Sequence, residues 1–412
     1  MDGRCAPCGL SWKPGTRMLA DDIPLALYIH VPWCVKKCPY CDFNSHALRG
    51  EISDAPYIDA LLADLDCEVE AGVVRTVHSV FIGGGTPSLL SPDSVARLLE
   101  GVGARLPLGP GCEVTLEANP GTVEAGRFAG FRQAGVNRLS IGVQSFHDDL
   151  LSAIGRIHDG RQSHLAVESA RDAGFENLNL DLMFGLPGQS VAQALKDVDT
   201  AIALSPTHIS HYQLTIEPNT LFHRHPPALP DEELAWRMGQ RCAKRLIASG
   251  YARYEVSAFA QVGHECRHNL NYWEFGDYLG IGAGAHGKIS DAASGEIIRS
   301  LKRRHPRAYL DASRNRSFDL KRESCDPDAL PLEFMMNALR IAQGFDLGLF
   351  VARTGLPATA IQGGLEFARA QKLIRLVDAR VEPTPLGLRF LNELLLLFAS
   401  ASSRRAVGNV AV

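Results

Sequence analysis

The sequence has no uninterrupted apolar stretch near the ~18 residues that a membrane span needs. Its longest candidate, Leu394 to Leu397 followed by Phe398 and Ala399, falls far short. It also lacks a strong charge of either sign. The 42 Lys and Arg against 46 Asp and Glu leave −4, too little for a basic field that would gather nucleic acid. The cations Arg4, Lys13 and Arg17 precede no apolar core of the kind a secretory leader carries. The expectation is therefore a cytoplasmic, reducing setting, with no nucleic-acid partner and no integral membrane segment. The 10 cysteines do not read as a disulfide framework, because such frameworks belong to small exported domains. Cys67, Cys112, Cys242 and Cys325 stand alone among apolar neighbours and read as buried free thiols. At 412 residues, with 46% apolar and 21% charged, the chain can bury a large core in two or three domains.

From residue 22 a regular beat of strand and helix sets in. Residues 25–31 (LALYIHV) are rich in strand formers, and 55–72 place Ile58, Leu61, Leu62, Leu65 and Val69 on one helical face. A strand at 77–82 precedes a helix that Ser91 can cap, with Pro92 at its first position. Further units follow at 112–116 with a helix from Thr122, 138–144 with a helix around 164–173, and 177–183 with a helix from Ser190. The sixth is 208–214 with a helix over 231–249. Six such units predict a parallel sheet wrapped by helices. Parallel α/β proteins build their sites at the carboxyl ends of the strands. Here those ends are three cysteines, then Gly83-Gly84-Gly85-Thr86, Glu117, Gln144, Asp181, and Tyr212 with Gln213. Six polar or glycine-rich ends in succession predict one convergent pocket.

The pattern then changes. Residues 251–287 are rich in aromatics and glycine, and 299–322 are basic and polar. A last segment reads as a helix (Phe334, Ala338, Ile341), a short helix over 346–354, a helix over 358–371 and a hairpin over 373–383, an order like that of a winged helix. Its candidate recognition helix offers only Arg369 and Lys372, so a protein contact or a lid suits it better than DNA. The expected divisions are an extension over 1–21, an α/β core over 22–250, a connecting segment over 251–325, a winged-helix-like domain over 326–400, and a tail over 401–412.

Cys34-Val-Lys-Lys-Cys38-Pro-Tyr-Cys41 is C-x3-C-x2-C in a loop directly after a strand. Three thiolates so spaced can each hold one iron of a cubane cluster and leave the fourth iron open to a chelating small molecule. Structural zinc, with His30 or His46 as fourth ligand, and plain structural thiols are the other readings.

The motif, with aromatic Tyr40 before the third cysteine, resembles the signature of the radical S-adenosylmethionine (SAM) enzymes, and the likeness runs from about residue 24 to 398. It implies a partial (β/α)6 barrel, a [4Fe–4S] cluster on Cys34, Cys38 and Cys41, and SAM chelating the open iron. In that family one electron splits SAM to a 5′-deoxyadenosyl radical, while the protein orients and shields the cofactors. Implied SAM contacts are Tyr28, Tyr40, Phe43, Gly84, Gly85, Thr86 and Glu117. Gln144, Arg156 and Asp181 match positions that hold a second SAM in the oxygen-independent coproporphyrinogen oxidases. Taken without the resemblance, Arg156 and Asp181 read equally as a barrel-mouth salt bridge, and the glycines as a tight turn.

GGGTPS, SIGVQSF, DLMFGLPGQ and ISHYQLTIEPNT are similar to the coproporphyrinogen oxidase group. The oxidases carry a further cysteine two residues after the third, where this chain has Phe43, which puts the decarboxylation of coproporphyrinogen in doubt. The heme chaperones of the HemW type have the C-D-F found here, and also H-N-x-x-Y-W, here His268 to Trp273. That likeness implies heme at His268, Tyr272 and Trp273, with an acceptor hemoprotein, plausibly respiratory, as partner. An imidazole can bind heme iron axially, and Tyr and Trp faces can pack on the porphyrin. On the residues alone His268 reads as a hydrogen-bonded histidine of the surface or core. Arg267 or the run Arg299, Lys302, Arg303, Arg304 and Arg307 offers cations for the propionates. No catalytic residue is assigned. The pair Cys5 and Cys8 lies in the extension over 1–17 and is given no metal.

Overall fold

The computed structural model describes residues 23–48, 50, 54–121, 126–291 and 294–399. The N-terminal extension with Cys5 and Cys8, the helix start at Thr122 and the tail over 401–412 lie outside the described residues.

All six predicted strands form. They are β1 (Leu25–Val31), β2 (Val77–Gly84), β3 (Leu108–Ala118), β4 (Arg138–Gln144), β5 (Asn177–Phe184) and β6 (His208–Gln213), each paired in parallel with the next. Side chains alternate across a strand. One set, including Leu27, Ile29, Val80, Ile82, Leu116, Ile141, Leu180 and Ile209, is fully buried under the helices. The other set is largely polar and faces inward. Register aligns Phe81 with Thr115 and Arg138, and Glu117 with Ser140, Asn179 and His208. The sheet thus carries an apolar outer face and a polar inner one.

The helices begin where the sequence supplies caps. Ser91 accepts from the Ser94 amide ahead of Pro92–Gly103, and Ser190 with Gln193 makes a reciprocal cap ahead of Val191–Ala203. Asp159 with Gln162 does the same for Gly160–Asp172, earlier than the 164–173 expected. The first helix, Asp54–Glu70, differs from its apolar reading, since it buries Asp64 and Glu68 beside Ile58, Leu61 and Leu65.

The aromatic and basic stretch is part of the same sheet. It contributes β7 (Ala252–Arg253), β8 (Ala258–Ala260), β9 (Asp277–Ile281), β10 (His286–Ser290), β11 (Ile297–Lys302) and β12 (Asp319–Ser324). Strand β9 joins β1 in parallel, on the side away from β2. The order is β12-β11-β10-β9-β1-β2-β3-β4-β5-β6-β8-β7, an open, partial barrel with antiparallel pairs at both ends. The C-terminal part has its own core around Phe334, Phe345, Phe350, Leu365 and Val381. Helices Leu330–Ala338, Leu347–Thr354 and Thr359–Ala370 pack with a small antiparallel sheet of 345–346, 380–383 and 374–377, as in a winged helix.

Candidate functional site

The inner face of the sheet encloses a cavity of about 1270 Å³. Every strand end singled out from the sequence opens on it: the three cysteines, Gly84, Gly85, Thr86, Glu117, Gln144, Asp181, Tyr212 and Gln213. So do Tyr28, Tyr40, Phe43, Arg156, His268, Tyr272 and Trp273. The volume exceeds the roughly 300–1,000 Å³ of one small-molecule pocket, so there is room for more than one ligand.

The cysteine loop leaves β1 and is closed at its base, where Trp33–Cys34 pairs with His46–Ala47. Cys34, Cys38 and Cys41 are free and half-buried. Burial pushes the Cys34 and Cys41 thiols up, so a metal centre that takes them as thiolates must displace their protons. Ser45 sits 3.7 Å from Cys41 Sγ. Arg156 reaches Cys38 Sγ at 3.8 Å, and the same guanidinium donates to Asn119 and to the Gly142 carbonyl, each at 2.7 Å. It therefore ties the loop to β3 and β4. Burial lowers the Arg156 pKa, but Tyr40 and Cys38 outweigh that and raise it, so it stays a cation. Three soft donors on one loop, turned to a cavity beside a fixed cation, fit a three-cysteine cluster with one open iron. Of the two histidines offered as a fourth zinc ligand, His30 is committed to Tyr28 and to the Asn44 carbonyl.

The glycine turn is demanded by geometry. Gly84 has φ +112°, and a Cβ there would strike the His30 ring. Its amide donates to Glu117 at 3.0 Å, and the Gly85 amide donates to Val31 at 2.7 Å, which sets the turn against the root of the cysteine loop. Burial first, then Asp181, raises the Glu117 carboxyl to about 8. Gln144 ends β4 at φ +67°, an uncommon conformation for a side-chain-bearing residue, beside a shift in the pairing with β5. Asp181 accepts from Ser140 at 3.1 Å and Asn179 at 2.8 Å. Among the described residues Arg156 and Asp181 form no salt bridge, so that alternative falls away.

Across the cavity lies the helix Arg267–Trp273. His268 is 1% exposed. Its Nδ1 faces Ser79 Oγ at 3.1 Å and its Nε2 faces the Tyr272 hydroxyl at 3.1 Å, while the ring stacks on Phe81. Burial, then Arg138, drives its pKa down to about 3, so the imidazole is neutral. Both ring nitrogens thus have partners. Tyr272 meets Tyr278 edge-on, and Trp273 keeps a buried Nε1 without a hydrogen bond under the Arg340 guanidinium.

Of the cations proposed for propionates, Lys302 is not available. It is buried and holds Asp64 at 2.9 Å, Glu68 at 2.6 Å and Asp319 at 2.7 Å. Arg299 pairs with Glu333 and Arg303 bonds Ser317, whereas Arg304 lines the cavity. Arg267 is exposed and donates to the Gly111 carbonyl. Sequence reasoning missed Arg138, 2% exposed on the inner face, and Asn119, which links Arg156 to Thr86. It also missed Cys266, a buried thiol against Glu113. The alternation of polar residues along β3, β4 and β5 carried the signal for the inward set.

Comparison with known proteins bears on this site. Residues 28–201 match the radical SAM superfamily and 325–390 match the HemN C-terminal domain. The protein named heme chaperone HemW of Escherichia coli is 50% identical over 375 residues, 91% of this chain and 98% of that one. Its namesake in Haemophilus influenzae is 48% identical over 380 residues, again 91% and 98%. That of Mycobacterium tuberculosis is 36% identical over 346 residues, 82% and 85%. The solved structure of coproporphyrinogen III oxidase (HemN) from Escherichia coli superposes with a TM-score of 0.78 over 93% of this chain and 91% of that one. At 21% identity this likeness speaks for the fold alone.

Proposed function

Since the chain belongs to the HemW family of the radical SAM superfamily, we propose that it holds one [4Fe–4S] cluster and SAM in this cavity and carries heme to an acceptor hemoprotein. The observation that carries the reading is the shared cavity. Cys34, Cys38 and Cys41 line it together with His268, Tyr272 and Trp273. Cys34, Cys38 and Cys41 would hold three irons, and the bound cluster would supply an open iron and one-electron chemistry.

The chain's own residues do the rest. Gly84 and Gly85 pack the turn closely on His30 and Trp33, and Thr86, Tyr28, Tyr40 and Phe43 line the cavity beside them. Gln144, Arg156 and Asp181 offer contacts for a second SAM. Tyr272 and Trp273 present aromatic faces to a flat macrocycle, and His268 holds the Tyr272 hydroxyl in place. Phe43, 58% exposed at the cavity mouth, stands where the oxidases have a cysteine.

Glu117 gives a pH signature. Burial and Asp181 raise its carboxyl to about 8, so it holds a proton at neutral pH. A cationic ligand such as SAM favours the ionised form, so binding releases that proton. SAM affinity should therefore rise with pH, by up to about tenfold per unit below about 8, and level off above it. Titration calorimetry across that range checks this, and Glu117→Gln should flatten the profile. The linkage to stability has the opposite sign. The raised carboxyl supports the ligand-free fold below about 4.5, and that support is lost as pH rises through about 8.

The function itself is tested anaerobically. The reconstituted protein is given SAM, reductant and coproporphyrinogen III, and protoporphyrinogen and 5′-deoxyadenosine are quantified together. The expected result is no decarboxylation, together with stoichiometric heme binding and transfer of that heme to an apo-hemoprotein. Stoichiometric protoporphyrinogen would instead make the protein a coproporphyrinogen oxidase.

A further inference from the structure

Resting on the heme-carrier reading, we infer that the axial ligand to the carried heme iron is His286, not the histidine of the H-N-x-x-Y-W helix. Four histidines line the cavity: His30, His46, His268 and His286. An axial ligand needs a ring nitrogen that is open to the cavity and free to give its lone pair to iron.

His268 fails this test, because Ser79 and Tyr272 occupy both nitrogens of a ring 1% exposed. His30 fails it as well. It is 5% exposed, with Nδ1 on the Tyr28 hydroxyl and Nε2 on the Asn44 carbonyl, each at 2.9 Å. His46 packs edge-on against His305, and its Nε2 has no hydrogen-bond partner among the described residues but is enclosed, so it is not open to the cavity. His286 is exposed at the start of β10, and its ring makes no hydrogen bond or ion pair among the described residues.

Its surroundings suit a ferric porphyrin with two carboxylates. Arg304 lines the cavity and Arg299 lies close enough for both to act on the His286 ring. Burial first, then these two cations, lowers its pKa, which favours the neutral, ligating imidazole. Beside it, β9 presents Tyr278, which packs on Tyr272. Gly280 is the neighbour of His286 across the strands, and a side chain there would run into the His286 backbone. In this arrangement Tyr272 and Trp273 form a wall for the macrocycle, and His268 acts through Tyr272.

The test adds hemin to the purified full-length protein and records optical and electron paramagnetic resonance spectra. Wild type should show an imidazole-ligated ferric heme. His286→Ala should lose the imidazole signature and more than about tenfold in affinity, and added free imidazole should restore the spectrum. His286→Met should keep a ligated heme with an altered spectrum. His46→Ala should retain the wild-type spectrum, and His268→Ala, which acts through Tyr272, should bind hemin more weakly but keep the imidazole signature. A wild-type spectrum from His286→Ala, or loss of the imidazole signature in His268→Ala or His46→Ala, overturns the assignment while leaving the carrier function standing. Failure of the wild type to bind hemin stoichiometrically removes the carrier reading and this inference together. Iron–sulfur absorbance in each reconstituted variant reports that it has folded.

Discussion

Cys38→Ala should leave the anaerobically reconstituted protein colourless, with iron near background where the wild type holds about four per chain. In the proposed cluster each thiolate of the C-x3-C-x2-C loop would hold a different iron, so loss of one sulfur leaves the cubane short of a ligand. The groups beside Cys38 Sγ are poor substitutes for it: Arg156 at 3.8 Å is a cation, and burial raises the pKa of the Tyr40 hydroxyl, which keeps it neutral. Iron and sulfide analysis with the visible spectrum reads the outcome. Cys67→Ser, in the helix Asp54–Glu70 and away from the cavity, should keep the full complement. Undiminished iron in Cys38→Ala would remove the cluster assignment.

Asp277→Ala should cost about 3–5 kcal/mol of stability, a large part of the roughly 5–15 kcal/mol that holds a folded domain together. Asp277 is fully buried at the head of β9, where its carboxylate takes Lys288 at 2.9 Å, Arg75 at 2.6 Å, and both the amide and the hydroxyl of Ser290. Burial alone raises its pKa, but Lys288 and Arg75 outweigh that and hold it below the usual range. Its support for the fold is therefore present at neutral pH and fades as pH falls through that lowered value. Removing the carboxylate strands the Lys288 ammonium, 1% exposed. Urea denaturation reads the loss as a lower midpoint. Asp277→Leu combined with Lys288→Met should recover much of it, since the fully buried ammonium is then gone with its carboxylate, while Arg75, 12% exposed, keeps the Ile23 carbonyl. A loss below about 1 kcal/mol in Asp277→Ala would show the network to be incidental.

The strands β9 and β10 that this network joins show where local sequence stops informing. The six strands, most of the helices between them, the Ser91 cap and the cysteine loop were legible, because strand and helix periodicities and capping residues are properties of short segments. The convergence of the strand ends was legible for a related reason. Parallel strands of one sheet deliver their carboxyl ends to one side, so Gly84, Glu117, Gln144 and Asp181 had to meet wherever the sheet curled. Phe43 and Tyr40 were legible because their place beside the cysteines is a matter of counting.

Tertiary structure alone decided the rest. Strand β9 pairs with β1 across some 250 residues, and nothing in 251–287 announces that partner. Lys302 belongs to a basic run in the sequence, yet Asp64 and Glu68, on a helix far earlier in the chain, neutralise it inside the fold. The same holds for the histidines. His268 and His286 are alike as letters, but Ser79 and Tyr272 satisfy one while the cavity leaves the other open. Periodicity determines which face a residue takes. Hydrogen-bond partners and burial come from segments distant in the chain, and they determine whether the residue is free to act.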